Sequence, residues 1–273
     1  MNTPQPSAGT ARSAGYLRLA GRNRLTDRKW IARPRRVADP RLRVVCFPHI
    51  GGGAALYNGW TGRLPADTEL CAVRLPGREN RVEEPLVDEL PVLLDGIEGA
   101  LAPLLDRPYV LFGHCSGSML AFQLARRLRA AGRRMPSLLV VSSIEAPAVR
   151  EITDPMHVLP REELFRRFAD YGGIAPSVLA DPDLMALFEP VIRADYRLIE
   201  RLAYHPEPPL DVPLTVIGGL HDPVVEYGAM THWRAETSRP FSLRLVDAGH
   251  FVVDEAADLV ARMLAELSTE ENQ

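Results

Sequence analysis

Three residues of this sequence could form a nucleophile, an acid and a base, and they occur in the order Cys115, Asp222, His250. Cys115 lies between Gly113 and Gly117, after an apolar run and before a helix-like pattern. This spacing predicts a sharp turn from a strand into a helix, because small neighbours leave room for the backbone at the turn. A helix that begins beside a thiol lowers the thiol's pKa and offers a backbone N–H to an oxyanion. We therefore predict a cysteine nucleophile at residue 115.

The acid and the base are predicted from the ends of two later apolar runs. Asp222 follows the run 214–217 within a turn that contains two glycines, and His250 follows the run 242–246 after Ala248 and Gly249. The order nucleophile, acid, base is that of α/β-hydrolases. A cysteine considered alone is most often a buried core residue. The matching acid and base favour the catalytic interpretation, in which His250 takes the thiol proton and Asp222 orients His250.

The elements that position these residues follow from alternating apolar runs and helical spacing. Strands are predicted at 43–47, 70–75, 109–114, 137–142, 214–217 and 242–246, and helices at 54–64, 88–105 and 116–131. Asp88 is the expected N-cap of the second helix. Such alternation predicts an α/β fold of the α/β-hydrolase type, with a mostly parallel sheet and helices on both faces. The glycine-rich loop at 48–53 would supply the Ile50 N–H to an oxyanion hole, together with the N–H of Ser116.

Between the fifth and sixth predicted strands, residues 145–209 contain helical patterns and no convincing strand. Apolar side chains recur on one face of each of two helices. The first set is Leu164, Phe165, Phe168 and Tyr171, and the second is Leu184, Leu187, Phe188, Val191 and Ile192. These faces fit either two amphipathic helices packed on the core or a helical lid that lines an acyl pocket. We favour the lid interpretation.

Composition and charge limit the possible location, bound metals and partners of the protein. The chain has 273 residues, 46% of them hydrophobic, without an apolar run long enough for a membrane span or a signal peptide, so a cytoplasmic protein is expected. Three widely spaced cysteines fit neither a disulfide framework nor a zinc site. Residues 1–43 hold eleven basic and two acidic residues. We interpret 1–29 as a mobile basic arm and 30–273 as the folded domain, with an acidic protein rather than nucleic acid as the arm's partner.

Several motifs resemble those of the type II thioesterases that serve polyketide and nonribosomal peptide assembly. Residues 46–52 resemble the family's C-x-P-[YF]-A-G-G, residues 75–81 its L-P-G-R-E-x-R and residues 112–117 its F-G-H-S-x-G. Trp60, the Gly172-Gly173 pair, the segment 193–195 (Arg-Ala-Asp), Asp222 and His250 are also similar. The resemblance covers about residues 43–265 and leaves the basic arm outside. Three positions depart from the pattern: Ile50 replaces a small residue, His49 an aromatic one, and Cys115 the nucleophilic serine.

The resemblance implies an acyl chain delivered as a thioester on a phosphopantetheinylated carrier protein. Cys115 would attack the thioester with Asp222 and His250 as its partners, and the acyl-cysteine would then be hydrolysed without a metal or other cofactor. His49, His114 and Phe188 are the expected substrate-binding residues. Cys115 is either the natural nucleophile or a substitution that traps an intermediate.

Three other interpretations remain open at this point. The acyl chain could pass to an amine or hydroxyl acceptor, as in a trans-acting acyl transferase or cyclase. The protein could also be a dienelactone-hydrolase-like cysteine hydrolase of a soluble ester, since the elbow of those enzymes also uses cysteine. The segment 75–81 and the long helical insertion argue against that hydrolase. A non-catalytic binding protein on the same scaffold is opposed by the intact Asp222 and His250.

Overall fold

The computed structural model describes residues 29–174 and 176–270, and its centre is one seven-stranded sheet. The strands are β1 (Ile31–Ala32), β2 (Leu42–Phe47), β3 (Thr68–Val73), β4 (Tyr109–His114), β5 (Leu138–Ser142), β6 (Leu214–Gly219) and β7 (Phe241–Val246). Their order in the sheet is β1-β3-β2-β4-β5-β6-β7, and every neighbouring pair is parallel except β1 with β3. The predicted α/β fold with a mostly parallel sheet is confirmed.

Alternate side chains of the strands enter two hydrophobic cores, one on each face of the sheet. On β2, Val45 and Phe47 belong to the larger core, whereas Val44 and Cys46 belong to the smaller one. All residues of β2, β3, β4 and β6 are buried, which explains why these strands are mostly apolar in the sequence. Strand β7, at the edge of the sheet, is half exposed.

Helices cover both faces of the sheet. The α-helices are α1 (Leu90–Leu101), α2 (Ser116–Ala130), α3 (Arg161–Asp170), α4 (Pro176–Leu179), α5 (Pro182–Glu200), α6 (Tyr227–Thr231) and α7 (Val253–Glu270). Short 3-10 helices occupy Ala54–Gly62, Glu79–Arg81, Ala102–Leu104, Met156–Val158 and His232–Glu236. The larger core packs against α1, α2, α3 and α5, and the smaller core packs against α7 and the 3-10 helix Ala54–Gly62.

Two local predictions differ from the structure. Helix α1 begins at Leu90 with Glu89 as its N-cap residue, so the prediction that Asp88 caps it is wrong. The Asp88 carboxylate instead accepts a hydrogen bond of 2.9 Å from Arg197 on α5. The segment predicted as a helix at 54–64 is a 3-10 helix over Ala54–Gly62.

Residues 145–209 form a helical insertion between β5 and β6 that contains α3, α4 and α5. Asp181 caps α5, because its carboxylate accepts hydrogen bonds from the N–H groups of Asp183 and Leu184 at 3.0 and 3.1 Å. The apolar face predicted for α5 is exposed near the start of the helix and buried farther along it. Leu184 and Leu187 are 37% and 57% exposed, whereas Val191 and Ile192 are buried.

Residues 1–28 of the predicted basic arm lie outside the described residues. Within the described ranges, no helix has the length and apolar character needed to cross a bilayer. The same ranges contain no cluster of three or more histidine, cysteine or acidic side chains that could hold a metal ion.

Candidate active site

The nucleophile turn is built from backbone contacts that only glycine permits. Cys115 joins β4 to α2 with φ +50° and ψ −122°, a strained conformation, and its N–H donates to Ser142 O at 2.8 Å. A Cβ atom at Gly113 would lie 2.3 Å from Ser118 Cα, and one at Gly117 would lie 2.2 Å from Phe47 O. The two glycines therefore let β4, α2 and the end of β2 approach closely enough to form the predicted turn.

The acid and the base meet at the ends of β6 and β7. His250 Nδ1 lies 2.9 and 3.1 Å from the two carboxylate oxygens of Asp222, and both side chains are almost fully buried. The N–H groups of Val224 and Val225 donate to the same carboxylate at 2.8 and 3.1 Å. A Cβ at Gly219 would lie 1.9 Å from the carbonyl oxygen of residue 249, so glycine at this position brings the two loops together.

The protonation of this pair depends on Cys115. Burial alone would lower the pKa of His250, but the charge of Cys115, hydrogen bonds to Asp222 and Cys115, and the charge of Asp222 raise it to about 10. Burial would likewise raise the pKa of Asp222, but its hydrogen bond and charge interaction with His250 lower it below the usual value. Because Nδ1 of His250 is bound to Asp222, Nε2 is the nitrogen available to Cys115. The arrangement can hold a proton on His250 between the carboxylate of Asp222 and the sulfur of Cys115.

Ile50 and Ser116, the two predicted oxyanion donors, line the same cavity as Cys115. The Ile50 N–H lies in the loop at 48–53, which we call the oxyanion loop, and it donates to no other group in the described part of the chain. Ser116 is the first residue of α2, where N–H groups have no intrahelical partner. His49 Nδ1 lies 2.8 Å from Ile50 O and must donate, since a carbonyl only accepts. This hydrogen bond helps to fix the orientation of the loop backbone.

The other histidines around the site have different roles from His250. Burial lowers the pKa of His49 to about 4 and that of His114 well below its usual value, so both rings are neutral at pH 7. His114 is fully buried, binds Ser142 Oγ through Nδ1 at 2.9 Å and contacts the rings of His49 and His250. His114 is not among the residues that line the pocket at Cys115. His221 is exposed and pairs with Asp247.

A cavity of about 290 Å³ opens at Cys115, and both the sheet and the helical insertion line it. Its nonpolar lining consists of Ile50, Ile144, Ile152, Met156, Phe168, Tyr171, Tyr196, Ile199, Val224, Val225 and Phe251. Charged side chains complete the wall: Glu145, Arg150, Glu151, Asp154, Arg167 and Glu200. His49, Ser116 and His250 also line this cavity.

Phe188, expected to bind substrate, lies in a second and smaller cavity of about 130 Å³. His49 and Phe168 line both cavities and therefore stand between them. Tyr196 and Phe251 line the cavity at Cys115 although neither was predicted to do so. Tyr196 could have been found by extending the i, i+4 spacing of Phe188 and Ile192 by one more step. Phe251 is the residue after His250 and carries no periodic signal.

Comparisons with known proteins agree with this geometry. The family described as thioesterase domain matches residues 42–267. The gramicidin S biosynthesis protein GrsT of Aneurinibacillus migulanus is 32% identical over 216 residues, which are 79% of this chain and 84% of GrsT. The AMB antimetabolite synthetase AmbE of Pseudomonas aeruginosa is 41% identical over 228 residues, 83% of this chain, but the match spans only 11% of the length of AmbE.

Among solved structures, the type II thioesterase BorB from the borrelidin biosynthetic cluster superposes with a TM-score of 0.79 and 33% identity. The match covers 87% of this chain and 96% of BorB. The residues matched by the family, 42–267, include strands β2 to β7, the nucleophile turn and the helical insertion. The chain therefore belongs to the thioesterase family.

Proposed function

We propose that the protein is a type II thioesterase that hydrolyses acyl chains bound as thioesters to the phosphopantetheine arm of a carrier protein. The observation that carries the proposal is the placement of Cys115, the pair formed by Asp222 and His250, and the Ile50 N–H around one cavity. The relatives GrsT and BorB, both matched over most of their length, support a role in nonribosomal peptide or polyketide biosynthesis.

In the first half of the proposed reaction, the sulfur of Cys115 attacks the thioester carbonyl carbon, and His250 Nε2 holds the proton that leaves the thiol. The carbonyl oxygen becomes an oxyanion that accepts hydrogen bonds from the N–H groups of Ile50 and Ser116. Loss of one such donor typically raises the barrier by about 3 kcal/mol. The tetrahedral intermediate then expels the pantetheine sulfur, which takes the proton from His250 and leaves as a thiol. The acyl group remains on Cys115.

In the second half, a water molecule attacks the acyl-cysteine carbonyl while His250 takes one of its protons. Collapse of this intermediate releases the carboxylic acid and returns Cys115 to its starting state. Asp222 holds the imidazole through Nδ1 and stabilises its positive charge. Each step moves one proton through His250, and no oxidant or reductant is consumed.

The proposal is tested with an octanoyl-carrier thioester and chromatography of the products. Wild-type protein should release octanoic acid and free carrier in equal amounts, and Cys115→Ala should release neither above the uncatalysed rate. Acid release at the wild-type rate by Cys115→Ala would exclude the thiol from the reaction.

The cysteine itself favours acyl transfer as a second candidate function. An acyl group on Cys115 is still a thioester and keeps its activation, whereas the same group on serine would be a less reactive oxygen ester. Thioesters also prefer amines to water more strongly than oxygen esters do. With a competing amine present, Cys115→Ser should shift the products from amide toward free acid. The same ratio of amide to free acid in both proteins would exclude acyl transfer as the reason for the cysteine.

A further inference from the structure

A buried ion pair connects the helical insertion to the oxyanion loop. Arg78 donates to the two carboxylate oxygens of Asp195 on α5, with both hydrogen bonds 2.7 Å long. The side chains are only 8% and 7% exposed. The pair joins residues 117 positions apart in sequence, and neither residue lines the cavity at Cys115.

Both members of the pair also bind the backbone of the oxyanion loop. The Gly51 N–H donates to Asp195 Oδ2 at 2.8 Å, and Arg78 Nη1 donates to Gly52 O at 3.0 Å. Gly51 directly follows Ile50, so these contacts fix the peptide beside the proposed oxyanion donor. Gly51 has φ +72°, a left-handed conformation that glycine adopts without strain.

The residue that follows Arg78 binds the other end of the same loop. Glu79 Oε1 accepts a hydrogen bond of 2.8 Å from the N–H of Ala55. A Cβ at Gly53 would lie 2.5 Å from that same oxygen, so the loop and the carboxylate are in close contact. Asp195, Arg78 and Glu79 together therefore bind the backbone at residues 51, 52 and 55, across the end of the oxyanion loop and the start of the 3-10 helix.

Helix α5, which carries Asp195, also contributes side chains to both cavities. Tyr196 follows Asp195 and lines the cavity at Cys115, while Ile192, one turn earlier, lines the smaller cavity. An acyl chain in these cavities would contact the helix that carries Asp195. A shift of Asp195 with α5 would act on Gly51 directly, through the hydrogen bond that the Gly51 N–H donates to its carboxylate.

We propose that Arg78 and Asp195 are positioning residues that couple acyl-chain contact on α5 to the geometry of the oxyanion hole. This inference rests on the proposed function, since it requires an oxyanion at Ile50 and Ser116. The pair acts on the step in which a carbonyl oxygen becomes charged and leaves the nucleophilicity of Cys115 unaltered.

Two reactions of the same thiol separate this role from a merely structural one. Acylation by octanoyl-pantetheine needs the oxyanion hole, whereas alkylation by iodoacetamide displaces iodide and forms no oxyanion. Cys46 and Cys71 are fully buried, so alkylation of the folded protein reports on Cys115. In Asp195→Ala we expect the acylation rate to fall about 100-fold and the alkylation rate to change less than about twofold.

The matched control is Asp88→Ala, which removes the carboxylate of a second ion pair that links α5 to the rest of the domain. Arg197 on α5 donates to Asp88 at 2.9 Å, but the two side chains are 37% and 34% exposed and form no hydrogen bond with the oxyanion loop among the described residues. Both rates should stay near those of the wild type. A loss of acylation in this control as large as that in Asp195→Ala would reduce the effect to general anchoring of α5 and overturn the proposal.

Removal of Asp195 alone leaves Arg78 buried without its partner, so stability is tested separately. The double variant Arg78→Met/Asp195→Leu replaces the pair by apolar side chains, which often preserves stability. We expect its melting temperature to recover and its acylation rate to stay low, because the Gly51 N–H still lacks an acceptor. Recovery of acylation together with the melting temperature would overturn the proposal.

The wild-type protein distinguishes this inference from the proposed function. A wild type that is alkylated but never acylated would overturn the proposed function and this inference with it. A wild type that is acylated no faster than Asp195→Ala would overturn the coupling alone.

Discussion

The carboxyl edge of the sheet and the helical insertion both line the cavity at Cys115, but different contacts hold them. At the sheet edge, Gly113, Gly117 and Gly219 allow backbone atoms to approach so closely that no other residue fits. The insertion is held by side chains, such as the buried pair of Arg78 and Asp195. The comparison indicates that close backbone contacts shape the nucleophile turn, whereas side-chain contacts determine how the insertion is attached to it.

The largest expected effect removes the base from the sheet edge. His250→Ala should lower kcat/KM for an acyl-carrier thioester by about 10⁴-fold or more, because triad members act as a unit. His221→Ala is the control, since that histidine directly precedes Asp222 but is exposed. Equal activity of both variants would show that His250 is not the base.

The next effect concerns stability. Gly113→Ala should lower the free energy of unfolding by about 3 kcal/mol or more, since its Cβ would overlap backbone atoms of α2. Gly99→Ala, in α1 and with no atom within 4 Å of its added Cβ, should raise that free energy by about 0.5–1 kcal/mol. Urea denaturation measures both. A neutral Gly113→Ala would show that the nucleophile turn tolerates a side chain.

A third prediction uses the pH dependence of neighbouring histidines. The folded pKa of His250 is raised to about 10, so its imidazolium persists at neutral pH and loses its proton as the pH rises through that value. Since the charge of Cys115 is the main cause that raises it, Cys115→Ala should lower the pKa of His250 by at least about one unit. Proton NMR titration of the imidazole resonances measures this.

His49 serves as the internal reference in that titration. Burial sets its pKa to about 4, and its neutral ring should stay neutral above pH 6 in both proteins. A His250 resonance that titrates identically with and without Cys115 would contradict the predicted coupling of thiol and imidazole.

The smallest effect is expected in the insertion. Phe168 lines both cavities, so Phe168→Ala should join them and improve kcat/KM for octanoyl over acetyl thioesters by about tenfold, the scale of one or two methylenes in an apolar pocket.

Phe188→Asp places a charge in the smaller cavity and should raise KM for octanoyl thioesters more than for acetyl thioesters. Equal effects on both substrates would remove the insertion from chain-length selection.

The sequence predicted the sheet edge well because glycines and apolar strands leave local signals. The turn at Cys115 and the meeting of Asp222 with His250 both depend on residues within a few positions of each other or at strand ends. The two-residue strand β1 was missed because Ile31 and Ala32 are too few to form a pattern.

The insertion was predicted less completely, for a physical reason. Helical periodicity identifies an apolar face but does not show which neighbour covers each part of it. Leu187 is exposed and Phe188 enters a side cavity, although both belong to the same predicted face. The contact of Asp195 with Gly51 joins residues 144 positions apart, and no local pattern indicates such a pairing.

The most direct test is the mass of the protein during its first turnover, before the acyl-cysteine is hydrolysed. Wild-type protein is mixed with an equal amount of octanoyl-carrier thioester, quenched in acid within seconds, and analysed intact and after digestion. The account predicts one added octanoyl group, located on the peptide that contains Cys115 and absent from Cys115→Ala. An octanoyl group on another residue, or octanoic acid released by Cys115→Ala at the wild-type rate, would contradict it.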